Sequence, residues 1–348
     1  MSDATEACAA EPPGLDLAAL RAHLESALPG TTTGELTGSV IAGGKSNLTY
    51  DVTDGSRHWV VRRPPLGHVL ATAHDMSREH RVLTALHGSQ VPVPRTYLLC
   101  ESPDVIGAPF YMMERVEGMT FRWRSQLEPL GAGRVEAISR RLVSTLASLH
   151  AVDPTGVGLG DFGRPDGYLE RQVRRWGRQL DASRSRDLAG VDELRHLLES
   201  AVPPSGEAAL VHGDFRLDNT LVDDQDNIVA LLDWEMATLG DPLADLALML
   251  AYDRLARHPE GDGIADASTA TGYLSASEVV DLYAALSGRD VSRIGFHLGL
   301  AFFKLAVILE GIHFRFVSGR TVGDGFNRAG ALVEPALAAG LESLKEQY

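Results

Sequence analysis

The sequence is poor in the residues that build disulfides and thiolate metal sites. It holds two cysteines in 348 residues, Cys8 near the N-terminus and Cys100 in an apolar stretch. Two thiols so placed indicate neither a disulfide framework nor a cysteine-based metal site. We therefore expect a protein of a reducing compartment, for which a cytoplasmic location fits best.

Long uncharged apolar runs and an excess of basic residues are also missing. The longest apolar stretch, Leu298 to Ile312, is interrupted by Lys304 and Glu310 and is too short to span a bilayer, so we predict a buried helix. Met1 to Leu15 has acids and prolines where a signal peptide has a basic start and an apolar core. With 32 basic and 47 acidic residues, the formal charge of −15 disfavours nucleic acid and anionic membranes and mildly favours cationic partners.

Two common catalytic signatures are absent. The sequence has no Gly-x-Ser-x-Gly of a serine hydrolase, and its twelve histidines include no His-x-x-x-His pair. The 44% hydrophobic and 23% charged composition is that of an ordinary globular protein, long enough for one large domain or two modest ones. The function must therefore be sought in polar residues with a defined spacing.

Hydrophobic periodicity divides the chain into three regions. Residues 1–33 are predicted to form a tail and one amphipathic helix, Leu15 to Leu28. Residues 34–115 alternate β-type runs with glycine-rich turns around one helical segment, which predicts a small five-stranded sheet with a crossing helix. Residues 116–348 are mainly helical, apart from short β-type runs between Ala209 and Trp234. The predicted fold class is α+β, with a small β-rich lobe and a larger helical lobe.

The strongest chemical signal is a polar loop followed by a second aspartate. The segment from Val211 to Asn219 reads Val-His-Gly-Asp-Phe-Arg-Leu-Asp-Asn, and Asp233 follows fourteen residues after Asn219. Phosphoryl transfer from ATP needs one carboxylate to orient and deprotonate a hydroxyl, and oxygen ligands to hold Mg²⁺ against the phosphates. Asp214 is the predicted base, and Asn219 and Asp233 are the predicted Mg²⁺ ligands, brought together by a loop and a hairpin.

This segment resembles the aminoglycoside phosphotransferase and choline kinase superfamily, which has a protein-kinase-like fold. The family pattern His-Gly-Asp-x-x-x-x-Asn is matched from His212 to Asn219, and the run from Gly240 to Ala247 is also similar. Within the superfamily, the likeness is nearest to bacterial phosphotransferases similar to the kinase domains fused to acyl-CoA dehydrogenases. It implies a bilobal fold with ATP between the lobes, and a structural rather than catalytic role for His212.

In the N-lobe, the resemblance and the residues together indicate how the nucleotide phosphates are held. Gly43, Gly44, Lys45, Ser46 and Asn47 lie between two predicted strands, where backbone amides could cover phosphates, although two glycines in a hairpin are often turn chemistry alone. The resemblance places a lysine where this chain has an arginine.

The strand carrying that arginine ends in Arg62 and Arg63. Arg62 is the first choice for the phosphate-binding cation, because Arg63 faces the opposite side of a regular strand. Glu79 in the next helix is its expected partner, and a solvated surface pair is the alternative. Glu114 and Val116 resemble the interlobe hinge, whose backbone groups would bind adenine.

The sequence thus predicts an ATP- and Mg²⁺-dependent small-molecule kinase that phosphorylates a hydroxyl group. The alternative is a catalytically weak ATP-binding regulatory module, favoured by the arginine in the lysine position and opposed by the intact base and metal ligands. A protein kinase is disfavoured because no Ala-Pro-Glu follows Asp233. The acceptor stays open among aminoglycosides, amino alcohols, sugars and hydroxyacyl compounds, as do ATP versus GTP and the oligomeric state.

Overall fold

The structure is a computed structural model that describes residues 12–41, 47–67, 75–204, 206–261, 263–319 and 326–345. The chain divides into two compact units. Unit 1 comprises residues 1–87 and 93–117, and unit 2 comprises residues 88–92 and 118–348. The predicted Gly43 to Ser46 part of the phosphate loop lies outside the described residues.

The described part of unit 1 contains a five-stranded antiparallel sheet and two helices. The strands lie in the order β1-β2-β3-β5-β4. Their bounds are β1 Thr37–Val40, β2 Leu48–Thr53, β3 His58–Arg63, β4 Thr96–Cys100 and β5 Phe110–Glu114. The helices are α1 Leu17–Ala27 and α2 Met76–Leu86. The predicted five strands and crossing helix are therefore confirmed.

Helix α1 is part of the core of unit 1 rather than a separate segment. Asp16 caps its N-terminus by accepting a hydrogen bond from the N–H of Ala19 at 2.8 Å. Leu20 and Leu24 are fully buried and pack in one cluster with Tyr50 and Phe110 of the sheet. Burial of each leucine contributes roughly 1.5–3 kcal/mol, so this helix closes one face of the sheet.

Unit 2 is mainly helical. Its helices are α3 Arg124–Leu127, α4 Ala132–His150, α5 Tyr168–Ser183, α6 Val191–Ser200, α7 Leu243–Ala256, α8 Ala276–Ser287, α9 Ile294–Val317 and α10 Val333–Ser343. Residues 88–92 join this unit, because the carbonyl of Pro92 accepts a hydrogen bond from the N–H of Leu231 at 2.8 Å. The chain is thus a β-rich unit and a helical unit, the α+β protein-kinase-like fold.

Helix α9 is the buried helix that the sequence predicts, although it is longer than the predicted segment. By length and composition it could cross a membrane, but 78% of its most apolar 18-residue window is buried inside the protein. The two charged side chains within its apolar stretch, Lys304 and Glu310, each contact a polar partner. Glu310 is fully buried and accepts hydrogen bonds from Ser185 and Arg186, and Lys304 contacts a loop described below. The helix forms a large part of the core of unit 2.

Two small antiparallel pairs of strands interrupt the helices. Strand β6 (Ala209–Val211) pairs with β9 (Thr238–Gly240), and β7 (Thr220–Val222) pairs with β8 (Ile228–Leu231). Strands β6, β7 and β8 were predicted and β9 was not. The polar residues singled out from His212 to Asn219 lie between β6 and β7, and Asp233 lies between β8 and β9. The two strand pairs therefore fix their positions.

Candidate functional site

The loop after β6 is anchored by one buried carboxylate. Asp245 of α7 is fully buried, and its two oxygens accept hydrogen bonds from the backbone N–H groups of His212 and Gly213, both at 2.7 Å. Gly213 has φ +85°, and a Cβ there would lie 2.7 Å from the carbonyl oxygen of Met236. Only glycine fits both restrictions. The conformation of the chain just before Asp214 is therefore tightly determined, and Asp245 braces the loop.

His212 has a structural position. It is fully buried and lies against the ring of Trp234, with ring centroids 4.7 Å apart. Its Nε2 is 2.9 Å from the carbonyl oxygen of Leu232, and its Nδ1 is 3.3 Å from the N–H of Asp214. The Nε2-protonated neutral tautomer satisfies both contacts, with Nε2–H donating and Nδ1 accepting. His212 thus supports the loop through hydrogen bonds on both sides.

A second buried histidine completes the support of Asp245. His150 Nε2 lies 3.3 Å from Asp245 Oδ2, and His150 Nδ1 lies 2.7 Å from the hydroxyl of Tyr283. Burial lowers the pKa of His150, against the opposing effect of the Asp245 carboxylate. His150 is therefore neutral at pH 7, with Nε2–H donating to Asp245 and Nδ1 accepting from Tyr283.

Asn219 orients the carboxylate of Asp214. Its side-chain nitrogen donates to the carbonyl oxygen of Asp214 at 2.8 Å and to its Oδ2 at 3.2 Å. Using the amide nitrogen in this way turns the amide oxygen away from Asp214. The Asp214 side chain keeps 29% of its surface exposed. The accessible carboxylate of Asp214 and the side-chain amide of Asn219 are thus placed next to each other.

Asp233 returns to Asn219 through the β7–β8 hairpin. The N–H of Leu232, the residue before Asp233, donates to the carbonyl oxygen of Asn219 at 2.8 Å. Asp233 has φ +65°, and among the described residues only Asp226 shares a positive φ without being glycine. This left-handed conformation is uncommon for a residue with a side chain, and such strained conformations cluster at functional sites. The three predicted residues Asp214, Asn219 and Asp233 are brought together.

Arg216 is a site residue that the sequence analysis did not single out. Its guanidinium lies on the ring of Tyr252, 4.2 Å from the centroid, and its Nη2 is 2.6 Å from Asp218 Oδ2. Its Nε is 3.8 Å from Asp214 Oδ1. Burial opposes its charge, yet the carboxylates of Asp214, Asp218 and Asp233 raise the pKa of Arg216. A permanent cation therefore lies beside the candidate base, and its place inside the polar loop could have indicated it.

Lys304 of α9 is the second residue that was missed. Its Nζ donates to the carbonyl oxygen of Gly213 at 3.0 Å and lies 5.7 Å from the centroid of the Trp176 ring. Burial lowers the pKa of Lys304, while Asp214 and Asp245 act in the opposite direction. A buried ammonium is costly unless it is bound, so this contact marks Lys304 as part of the loop support. The only signal in the sequence was a charge inside an apolar run.

In unit 1, Glu79 is the centre of a buried polar cluster. Its Oε2 lies 2.9 Å from Arg62 Nε and 3.0 Å from the Tyr111 hydroxyl, and its Oε1 lies 3.0 Å from Asn47 Nδ2. Glu79 is only 1% exposed. The predicted Arg62–Glu79 ion pair is present, and the alternative of a solvated surface pair is wrong. Asn47 lies against Glu79, with its side chain 3% exposed to solvent.

Arg63 takes the opposite side of β3, as the alternation of a strand requires. It is buried, and its Nη1 donates to the carbonyl oxygens of Gly14 and Ile106. Its guanidinium is thus occupied by backbone groups at the α1 end of unit 1. Of the two neighbouring arginines, Arg62 is the one that reaches Glu79.

The predicted hinge residues have part of their backbone occupied. The N–H of Glu114 donates to the carbonyl oxygen of Arg95 at 2.8 Å. The carbonyl oxygen of Val116 accepts from Arg115 Nη1 at 2.9 Å. Adenine recognition by these two residues would therefore use the carbonyl of Glu114 and the N–H of Val116.

Comparison with known proteins gives a consistent assignment. Residues 37–283 match the phosphotransferase enzyme family, APH. A Ralstonia eutropha protein, provisionally described as an aminoglycoside phosphotransferase, is 32% identical with a TM-score of 0.84, covering 96% of this chain and 99% of that one. Aminoglycoside phosphotransferase APH(4)-Ia, in a complex with AMP-PNP and hygromycin B, has a TM-score of 0.60 at 17% identity, covering 93% and 98%, and so shares the fold.

The curated relatives are longer proteins. Acyl-CoA dehydrogenase family member 11 of Gallus gallus is 34% identical over 340 residues, which are 95% of this chain and 44% of the relative. Acyl-CoA dehydrogenase family member 10 of Mus musculus is 34% identical over 320 residues, 91% of this chain and 30% of the relative. The chain thus spans less than half the length of these relatives. By sequence and by fold, the chain belongs to the phosphotransferase enzyme family.

Proposed function

We propose that this protein is an ATP-dependent kinase that transfers the γ-phosphate to a hydroxyl group of a small molecule. The observation that carries the proposal is the convergence of Asp214, Asn219 and Asp233 in one supported loop and hairpin. Asp214 orients the acceptor hydroxyl and takes its proton. In phosphoryl transfer, this proton transfer is the main covalent step in which a protein side chain takes part. Family membership supports the same reaction class.

The metal-binding part of the proposal rests on the donor atoms. Mg²⁺ prefers carboxylate and amide oxygens and is held by one or two protein groups together with substrate phosphates. The amide oxygen of Asn219 and the carboxylate of Asp233 fit that requirement. The described residues contain no cluster of three or more His, Cys, Asp or Glu side chains that would hold a metal unaided. Bound there with ATP, Mg²⁺ would neutralise charge on the phosphates.

Arg62 is proposed to contact the nucleotide phosphates from unit 1, together with the segment Gly43 to Asn47. Glu79 fixes one edge of its guanidinium through Nε at 2.9 Å. A guanidinium has five N–H donors in a planar fork, a geometry that suits carboxylate and phosphate oxygens alike. This arrangement explains how an arginine takes the position of the usual lysine, and it weakens the case for a non-catalytic regulatory module.

The acceptor class is the finer part of the proposal. The name of the relatives, acyl-CoA dehydrogenase family members, supports a hydroxyacyl compound. The solved fold neighbours include a complex with hygromycin B, which keeps aminoglycosides as the second candidate. We therefore propose hydroxyacyl compounds first and aminoglycosides second.

The test is ADP release from Mg-ATP with hydroxyacyl thioesters, aminoglycosides, amino alcohols and sugars as acceptors. We expect release above the acceptor-free rate with one of these classes, and no release when EDTA replaces Mg²⁺. An Asp233→Asn variant should require more Mg²⁺ for half-maximal rate, because it loses a charged ligand. Tight ATP binding without turnover across all four classes would favour the regulatory module.

Lys304 offers a separate prediction about the loop support. Lys304→Met keeps the length of the side chain but leaves the carbonyl of Gly213 without its charged donor. We expect kcat to fall about ten- to a hundredfold, because a bond of this kind contributes about 1.5–3 kcal/mol and positions the base. Lys345→Met, at an exposed position in the same unit, is the control. An unchanged kcat in both variants would show that Lys304 does not position the loop.

A further inference from the structure

Helix α5 carries a concentration of positive charge that contrasts with the rest of the chain. The protein has a formal charge of −15. Yet Arg171, Arg174, Arg175 and Arg178 occupy positions i, i+3, i+4 and i+7 of α5, so they share one helix face. Like charges at this spacing repel and destabilise a helix. Four of them on one face therefore favour binding of an anion there.

These arginines line a concave surface. A cavity of about 510 Å³ is bounded by the four arginines of α5, Gln172, and Arg195 and Glu199 of α6. We call these residues the arginine pocket. Their cationic groups converge on a volume large enough for a phosphate-bearing portion of a metabolite, since ligand pockets commonly measure ≈ 300–1,000 Å³.

Some of the arginines are held in place and others are available. Arg171 donates to the carbonyl oxygens of Arg164 and Asp166, and Arg195 is bound by Asp181 and Glu199 at 2.8 and 3.0 Å. Arg175 lies on the ring of Trp176, 5.3 Å from its centroid.

Arg174 and Arg178 are the available pair. Both are exposed, and neither makes a hydrogen bond or ion pair with another described residue. Glu199, the carboxylate that lines the arginine pocket, is paired with Arg195, and among the described residues no carboxylate lies within ion-pair distance of Arg174 or Arg178. This surface is therefore suited to bind an anion from solution.

Gln172 of the arginine pocket also lies beside the support of the candidate active site. This residue also lines a second, smaller cavity whose wall includes Trp176, Lys304 and Gly213, the residue before Asp214. One side of α5 therefore faces the arginine pocket and the adjoining side faces the support of the catalytic loop. A ligand held by the arginines lies on the same unit as Asp214 and on the helix that packs next to its loop.

We propose that the arginine pocket binds a phosphate group of the acceptor, remote from the hydroxyl that is phosphorylated. The guanidinium fork matches the geometry of phosphate oxygens, and several such forks favour a polyphosphate over a single carboxylate. The inference rests on the proposed kinase function and narrows it, because it assigns a phosphate-bearing acceptor rather than a cationic aminoglycoside. It also reverses the expectation that the net charge of −15 favours a cationic partner, because that charge is a sum over the whole chain.

The test is calorimetric binding of inorganic pyrophosphate, coenzyme A and pantetheine to the full chain, saturated with Mg²⁺ and AMP-PNP so that the nucleotide site is filled. Pyrophosphate and coenzyme A should bind, and pantetheine, which lacks phosphate, should bind at least tenfold more weakly than coenzyme A. The double variant Arg174→Gln/Arg178→Gln should weaken pyrophosphate and coenzyme A binding about ten- to a hundredfold. The charge-matched control is Arg293→Gln/Arg315→Gln, at two exposed positions elsewhere in unit 2.

The outcomes separate this inference from the proposed function. Equal coenzyme A affinity in wild type and the Arg174/Arg178 variant, or no binding of either phosphate probe, overturns the inference even if ADP release is observed. Phosphate binding that depends on the arginines, without ADP release, supports the pocket and counts against the kinase. Tighter binding of a single-stranded RNA than of coenzyme A, lost in the same variant, overturns a small-molecule site.

Discussion

Replacing Asp214 with asparagine is expected to lower turnover by about a hundredfold to ten-thousandfold, the usual contribution of a positioned general base. Asparagine keeps the size of the side chain and can still accept from Asn219, whose amide nitrogen lies 3.2 Å from Asp214 Oδ2. The fold and the nucleotide site should therefore survive. ATP affinity, measured by calorimetry, should change by less than about twofold, because the base interacts with the acceptor rather than with ATP.

The comparison that makes this result specific is Asp224→Asn. Asp224 is an exposed carboxylate of the same unit, and Arg134 contacts only its backbone carbonyl oxygen. This variant should retain full turnover. If Asp214→Asn also retained more than about a third of the wild-type rate, the proton of the acceptor would have to leave by another route, and the assignment of Asp214 would be wrong.

The loop that holds Asp214 and Asn219 could be predicted from sequence because its residues lie close together in the chain. Asp214 and Asn219 lie five residues apart on one loop, and the distance to Asp233 is set by one short hairpin. Polar turn residues and two short β-type runs were sufficient to predict that hairpin. The pairing of Arg62 with Glu79 was expected from the family resemblance, and strand alternation favoured Arg62 over Arg63 for that position.

The supporting residues could not be predicted because they depend on packing between distant segments. Lys304 meets Gly213 across 91 residues of sequence, and nothing near Lys304 indicates that contact. Strand β9 is only three residues long, too short to show alternation, and exists because it pairs with β6. The arginine pocket was hidden for the same reason: net charge averages over the chain, whereas a binding surface depends on which charges share a face.

Replacing Asp245 with asparagine is expected to produce the largest loss of stability. The carboxylate is fully buried and accepts from two backbone N–H groups and from His150. An asparagine must place its NH₂ group against one of these donors. Breaking a buried, fully satisfied charged network of this kind costs about 3–5 kcal/mol. Thermal unfolding should therefore occur about 10 °C lower, whereas Asp187→Asn at an exposed position should leave the midpoint unchanged.

The pH dependence distinguishes this network from simple packing. Burial alone would raise the pKa of Asp245, but the hydrogen bonds from the His150 side chain and the His212 backbone N–H hold it below the ordinary value of 3.8. The pKa of His150 is lowered from 6.5, chiefly by burial. Both groups bind fewer protons in the folded state than in the unfolded state, so their contributions to stability are complete above pH 6.5 and decrease as the pH falls.

The wild-type protein should accordingly lose stability on acidification in two stages. The stability contributed by His150 decreases first, from pH 6.5 downward. The stability contributed by Asp245 decreases below the ordinary aspartate pKa of 3.8. In Asp245→Asn only the first stage remains, so the difference in unfolding midpoint between the two proteins should shrink once the pH falls below 3.8. A difference that stays constant from pH 7 down through that range would mean that the charge of Asp245 contributes nothing, and that its shape alone holds the catalytic loop.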